Sequence, residues 1–167
     1  PATAERGFEA GDLDYTWTSV SSLPRLKENP PAGAVVLEKP SLAYVWLGLN
    51  QDNAALQDIR IRRAIQHAID RQTVVDAAYF GAAGVANGII APGLPGSRDA
   101  VTYDYDPDKA RALLAEAGYA DGLTLSLKLP PPSYARRGGE IIAAQLREVG
   151  ITAQIENLEW AQWLEQV

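Results

Sequence analysis

The stretch from residue 123 to residue 129, LTLSLKL, constrains the fold more than any other. Leu123, Leu125, Leu127 and Leu129 recur at spacing two, with Thr124, Ser126 and Lys128 between them. A period of two places the leucines on one face of a strand and the polar residues on the other, the pattern of a half-buried strand. Pro130, Pro131 and Pro132 stop it, because proline has no N–H for a ladder. A second alternation, ITAQIEN, follows from residue 151. Between the two, from about Arg136 to Val149, Ile142, Leu146 and Val149 fall at helical spacing, and Gly150 ends the run. Helices and strands interleave, so the expected fold is α/β, a mixed β-sheet flanked by helices.

The rest of the chain carries further elements of both kinds. Ile61, Ala64, Ile65, Ala68 and Ile69 lie at i, i+3, i+4, i+7 and i+8, the spacing of one buried helical stripe, and Asp58 is placed to cap it. Asp70 caps a second helix, RQTVVDAAYF, which Gly81 ends. In YDPDKARALLAEAGY, Asp106 is an N-cap, Pro107 the first helical residue and Gly118 the exit. ATAERGFEAG reads as a helix end before Gly11, LPRLKE as a short helix capped by Ser22, and EWAQWLEQV as a last helix. Leu13, Tyr15 and Trp17 at spacing two, and the apolar runs AVVLE and AYVWLGLN, read as strands. Residues 81–105 form a long Gly/Pro-rich connection, a length that is uncommon without a function.

Composition narrows the function. The 21 acidic residues outnumber the 15 basic ones, giving a net charge of −6, so no global field draws in a phosphate backbone and no nucleic-acid partner is expected. There is no cysteine, which excludes disulfides, thiol catalysis and sulfur-ligated zinc. The single histidine, His67, cannot form an H-E-x-x-H or H-x-x-x-H metal pair, and no G-x-S-x-G elbow is present. His67 is therefore read as a helix-surface residue. Neither a cofactor nor a catalytic group is expected. A chain opening on Pro1 with no methionine is expected to be a processed or excised piece of a longer protein.

Two regions invite a functional reading. Arg60, Arg62 and Arg63 cluster on one helix, but Asp52, Asp58, Asp70 and Asp76 surround them, so solvated or paired arginines are the simpler reading. PPPSYARRGGE places Ser133, Tyr134, Arg136 and Arg137 at a strand-to-helix junction. Ligands gather outside the carboxyl ends of strands in α/β sheets, and an arginine fork beside a helix start suits a carboxylate. The bland alternative is a surface loop whose arginines stay in water. Trp17, near the end of its expected strand, suits an apolar wall of a ligand site. Core is the simpler reading for it, and more so for Trp46, Trp160 and Trp163. Asn87, in the long connection, completes the candidate ligand-binding set of Trp17, Asn87, Tyr134, Arg136 and Arg137.

Three stretches resemble a known family. YVWLGLN followed by LQDIRIRRAIQHAIDRQTVVDAAYFGAAGVANGIIAPGLPG, then YDYDPDKARALLAEAGYADGLTLSL, then AAQLREVGITAQIENLEWAQWL are similar to the family 5 extracellular solute-binding proteins of ABC transporters, the dipeptide and oligopeptide binders. Order and spacing agree from Gly11-Asp12-Leu13-Asp14 to the final tryptophan helix. The resemblance implies one lobe of a periplasmic-binding-protein-like type II fold, the continuous part of the C-terminal-side lobe. It implies capture of a peptide or other small solute by hinge closure against a missing N-terminal lobe, and delivery to the permease subunits of an ABC importer. The implied location is periplasmic or extracellular, with the full-length protein free or lipid-anchored. The alternative is a ligand-sensing lobe of the same fold fused to a DNA-binding module in a transcriptional regulator. In the resemblance Arg60, Arg62, Asp70 and Arg71 belong to a recurrent D-x-R-x-R-x-A-I-x-x-A-I-D-R pattern with an architectural role. An arginine near PPPSYARR can meet the ligand carboxylate in peptide-binding members, a role that falls here to Arg136, to Arg137 or to neither.

Overall fold

The computed structural model describes residues 2–39, 41–98 and 103–167. Its elements in chain order are α1 (Ala2–Ala10), α2 (Leu23–Glu28), α3 (Ala54–Gln57), α4 (Ile59–Ala68), α5 (Arg71–Tyr79), α6 (Pro107–Glu116), β1 (Leu123–Leu129), α7 (Ser133–Glu148), β2 (Ile151–Asn157) and α8 (Trp160–Gln166). The two alternating stretches form β1 and β2, paired in parallel with Leu123 opposite Ile151 and Leu129 opposite Asn157. A parallel pair needs a crossover, and α7 supplies it.

The core lies where α4, α6, α7 and β2 meet. Ile61, Leu114 and Ile151 are its largest fully buried side chains, joined by Ala64, Ile65, Ala68 and Leu146. The helical stripe expected from residue 61 onward is thus the buried face of α4. Asp58 accepts from the Arg60 N–H at its start, and Asp70 accepts from the Gln72 and Thr73 N–H groups at the start of α5. These acceptors satisfy donors that a helix end leaves free. At α6, Asp106 accepts from the Lys109 N–H at 2.9 Å.

Several expectations are corrected. Residues 13–17, 34–38 and 43–50 carry no strand pairing among the described residues. Many of their apolar side chains face outward, Leu37 83% exposed and Val35 78%, whereas Leu47 and Leu49 pack against the core. Among the described residues the sheet is the parallel pair of β1 and β2. An alternating run reports which face a strand would bury, but a ladder also needs an adjacent edge, and these runs have none within the described residues. The tryptophans are not core: Trp17 is 77% exposed, Trp46 70% and Trp160 51%, while Trp163 is half-buried. Ser22 sits before α2 without capping it. Its Oγ donates instead to Glu5 Oε2 at 2.8 Å. Helix α7 begins at Ser133, earlier than Arg136, because Pro132 leaves extended backbone there and its carbonyl accepts from the Ala135 and Arg136 N–H groups.

His67 is the clearest revision. It is buried, not on the helix surface. Its Nδ1 lies 2.8 Å from the Asp104 carbonyl oxygen, so Nδ1 donates, and its ring meets Tyr103 edge-on at 5.5 Å. The Asp106 N–H returns a bond to the His67 carbonyl at 2.8 Å, and Arg71 Nη2 donates to the Tyr103 carbonyl. Helix α4 is therefore scaffold, and its histidine pins the segment leading into α6.

Candidate functional site

The residues picked out at the strand-to-helix junction lie where the C-terminus of α5, the start of α7 and the start of α8 converge. The leucine-rich β1 ends at Leu129, the three prolines turn the chain, and α7 starts at Ser133. Two glycines set how closely α7 approaches its neighbours. A Cβ on Gly139 would lie 2.5 Å from Leu129 Cδ2 and 3.0 Å from its Cγ, far inside ordinary contact, so α7 sits on β1 only because that side chain is absent. Gly138, one residue earlier, faces Val74 and Ala78 of α5.

Seated this way, α7 presents Tyr134, Arg136 and Arg137 to different partners. Tyr134 stacks on Tyr79, the last residue of α5, with ring centroids 5.5 Å apart and planes 28° from parallel. The Tyr79 hydroxyl is buried without a hydrogen-bond partner among the described residues. Burial first, and the neighbouring Tyr134 second, push its pKa up to about 12. Arg136 Nη2 meets Glu159 Oε1 at 3.1 Å, while its Nε is buried without a partner among the described residues. Arg137 is exposed, and its guanidinium carbon lies 4.9 Å from the centroid of the Phe80 ring. Phe80 is the only non-glycine residue at positive φ among those described, at 52°. That left-handed residue ends α5 and aims its ring at Arg137.

Phe80, Gly81 and Ala82 also form one wall of an open groove of about 320 Å³, with Leu23, Pro24 and Lys27 of α2 opposite. A second groove of about 340 Å³ lies between α7 and β2, walled by Ala143, Ala144 and Ala153. Neither is lined by the five selected residues. The structure brings Tyr134, Arg136 and Arg137 into one cluster. Trp17 lies apart from it in its contacts, its ring meeting Tyr15 edge-on at 5.9 Å, and Asn87 is half-buried. Sequence reasoning missed Tyr79, Phe80 and Glu159, which only the fold brings to the arginines. Among the described residues, no group of three or more His, Asp or Glu side chains is placed to hold a metal ion. No described helix is long and apolar enough to cross a membrane.

The arginines of α4 serve the frame. Arg60 pairs with Asp58 at 2.5 Å and donates to the Glu116 carbonyl at the end of α6, and Arg62 donates to the carbonyls of Leu56 and Gln57. Hydrogen bonds from Arg60, first its side chain and then its backbone N–H, hold Asp58 down at about 2.

Comparison with known proteins agrees with this architecture. The chain matches the bacterial extracellular solute-binding proteins, family 5 Middle, over residues 1–167. It is 33% identical over 152 residues to the dipeptide-binding protein of Escherichia coli K12, covering 87% of this chain and 28% of that one. It is 29% identical over 163 residues to heme-binding protein A of Haemophilus influenzae, covering 93% of this chain and 29% of that one. Among solved structures, the ABC transporter-associated periplasmic binding protein DppA of Helicobacter pylori, in complex with the peptide STSA, superposes with a TM-score of 0.85 at 27% identity. That superposition covers 99% of this chain and 32% of the other. The chain thus spans under a third of the length of these relatives. Their fold is the type II periplasmic-binding-protein fold, and this chain has the α/β character of it. The chain belongs to the bacterial extracellular solute-binding proteins, family 5, a family of solute-binding receptors.

Proposed function

We propose that this chain is the substrate-binding lobe of an ABC-importer receptor, and that its solute is a peptide held against a second lobe by hinge closure. The observation that carries the reading is the α5–α7–α8 junction, where a stacked tyrosine pair and two arginines meet in a chain of this family. Guanidinium groups suit a terminal carboxylate, and aromatic faces suit the apolar parts of a peptide. Trp17, Asn87, Tyr134, Arg136 and Arg137 are the proposed ligand-facing set. The exposed Trp17 and Tyr15 pair supplies apolar surface that a second lobe or a ligand would cover.

The partners of this reading are the missing N-terminal lobe, a peptide and the permease subunits of the importer, and the place is periplasmic or extracellular. No covalent chemistry is performed. Closure works by differential affinity: a ligand that touches both lobes stabilises the shut form by the amount that form binds it better. The relatives include a dipeptide binder and a heme binder, so the solute is tested directly. The full-length parent is screened by thermal shift against dipeptides, tetrapeptides, heme and nickel–histidine, and the best hit is followed by small-angle scattering. The proposal expects a peptide to raise the melting temperature and shrink the radius of gyration. Stabilisation by heme or nickel–histidine alone, or binding without compaction, would refute it.

A further inference from the structure

Arg136 and Arg137 are adjacent in α7, so their side chains leave the helix about 100° apart. They meet different neighbours as a result. Arg136 points to the start of α8, where Glu159 Oε1 lies 3.1 Å from its Nη2. Glu159 is itself tied down. Its side chain accepts from the Gln162 N–H, and the Gln162 side chain accepts from the Glu159 N–H, a reciprocal capping box that holds the carboxylate in place. Arg137 is exposed, rests on Phe80, and has no carboxylate within ion-pair distance among the described residues. A guanidinium stacked on a ring keeps its edge donors free.

We infer that Glu159 is a selectivity residue: it withdraws Arg136 from ligand binding and leaves Arg137 as the sole available cation of the junction among the described residues, so that the site takes a monoanionic group such as one terminal carboxylate. Two free arginines side by side would favour a dianion or a phosphate. One committed arginine, with an acid beside it, favours a single negative charge and repels a second. Glu159 acts through Arg136 and need not touch the ligand. The inference rests on the proposed peptide-carboxylate reading of the junction, but its first test does not.

That test uses acetate as the probe on this 167-residue chain, read by the side-chain Nε–Hε resonances of the arginines. In the wild type, acetate is expected to shift Arg137 and leave Arg136 in place. In Glu159→Gln, which keeps the α8 cap through the amide oxygen, acetate is expected to shift both. Acetate shifting Arg136 in the wild type, leaving it unmoved in Glu159→Gln, or shifting neither arginine would overturn the inference. The second arm uses the full-length parent with a dipeptide, its amidated analogue and a dipeptide ending in glutamate. Glu159→Gln is expected to tighten the free dipeptide up to about fivefold, the scale of an exposed ion pair, to tighten the glutamate-ended one more, and to leave the amide unchanged. Arg136→Gln breaks the same pair without freeing a cation and is expected to bring no gain. A gain in Arg136→Gln equal to that in Glu159→Gln would also overturn it. If the parent binds no peptide while the acetate pattern holds, the peptide reading falls and the assignment of Glu159 stands.

Discussion

The pair Gly138-Gly139 offers a sharp test of how α7 is seated, because the two neighbours respond in opposite directions to the same substitution. Alanine in a helix interior is favoured over glycine by about 1 kcal/mol. At Gly138 the new methyl would lie 3.7 Å from Val74 Cγ1 and 3.8 Å from Ala78 Cβ, ordinary contact distances, so Gly138→Ala keeps most of that gain. At Gly139 the methyl would lie 2.5 Å from Leu129 Cδ2 and 3.0 Å from Cγ, and Leu129 is only 6% exposed, so its side chain has little room to turn away. Overpacking of this kind costs about 1–3 kcal/mol, which exceeds the propensity gain. The expected net is a stabilisation of about 0.5–1 kcal/mol for Gly138→Ala and a loss of about 1 kcal/mol for Gly139→Ala. The two melting temperatures should then differ by roughly 3–8 °C for a chain of this size. Urea unfolding followed by circular dichroism and by tryptophan fluorescence measures the difference, with the slope checked for constancy. Combining Leu129→Ala with Gly139→Ala should cost less than the two single losses added together, through a favourable coupling between the two sites. Equal effects of the two alanines, or Gly139→Ala the more stable, would refute the claim that α7 rests on β1 through a missing side chain.

Three further outcomes follow from other parts of the molecule. Replacing His67 with leucine leaves the Asp104 carbonyl without its buried donor, at a cost of about 1–3 kcal/mol, and should speed amide exchange at Asp106; unchanged exchange there would refute the pinning role. Stability should fall in acid: Asp58 is held down at about 2 by Arg60, chiefly through its side-chain hydrogen bond, and Asp70 is lowered first by the Thr73 hydroxyl. For both, the folded-state pKa lies below the unfolded one, so their stabilisation is present above about pH 4 and is lost in acid, for Asp58 as the pH drops toward 2. The urea midpoint of Asp58→Asn should therefore change less between pH 5 and pH 2.5 than that of the wild type, and parallel curves would contradict this. Asp70→Ala should cost about 1 kcal/mol through loss of the α5 cap, read by thermal unfolding, and a cost near zero would remove the capping account.

What the sequence showed and what it hid divide along a physical line. Elements whose signals are local were legible: the α4 stripe at Ile61, Ala64, Ile65 and Ala68, the caps at Asp58, Asp70 and Asp106, and the alternation of β1 and β2 all stand where the pattern placed them. Leu13, Val35, Leu37 and Trp46 misled because alternation and apolarity say nothing about whether a neighbouring edge exists to pair with. His67 misled because what covers it, Tyr103 and Asp104, arrives from a connection that has no periodicity to read. The candidate cluster was half legible for the same reason. The arginines and Tyr134 were visible in one short stretch, but Tyr79 and Phe80 come from the end of α5 and Glu159 from the start of α8, and only the packing of α7 brings them together. The family motif around Arg60 and Arg62 proved to be frame, with both guanidinium groups bonded to helix-end carbonyls.

In the proposed receptor this chain is one lobe that holds only part of the solute site, and a second lobe completes it. Titration calorimetry tests it most directly, with the same dipeptide and oligopeptide panel run against the full-length parent and against these 167 residues alone. The account predicts peptide binding with a measurable heat by the parent and none by the isolated chain. Micromolar peptide binding by the isolated chain, or a parent that binds no peptide, would contradict it.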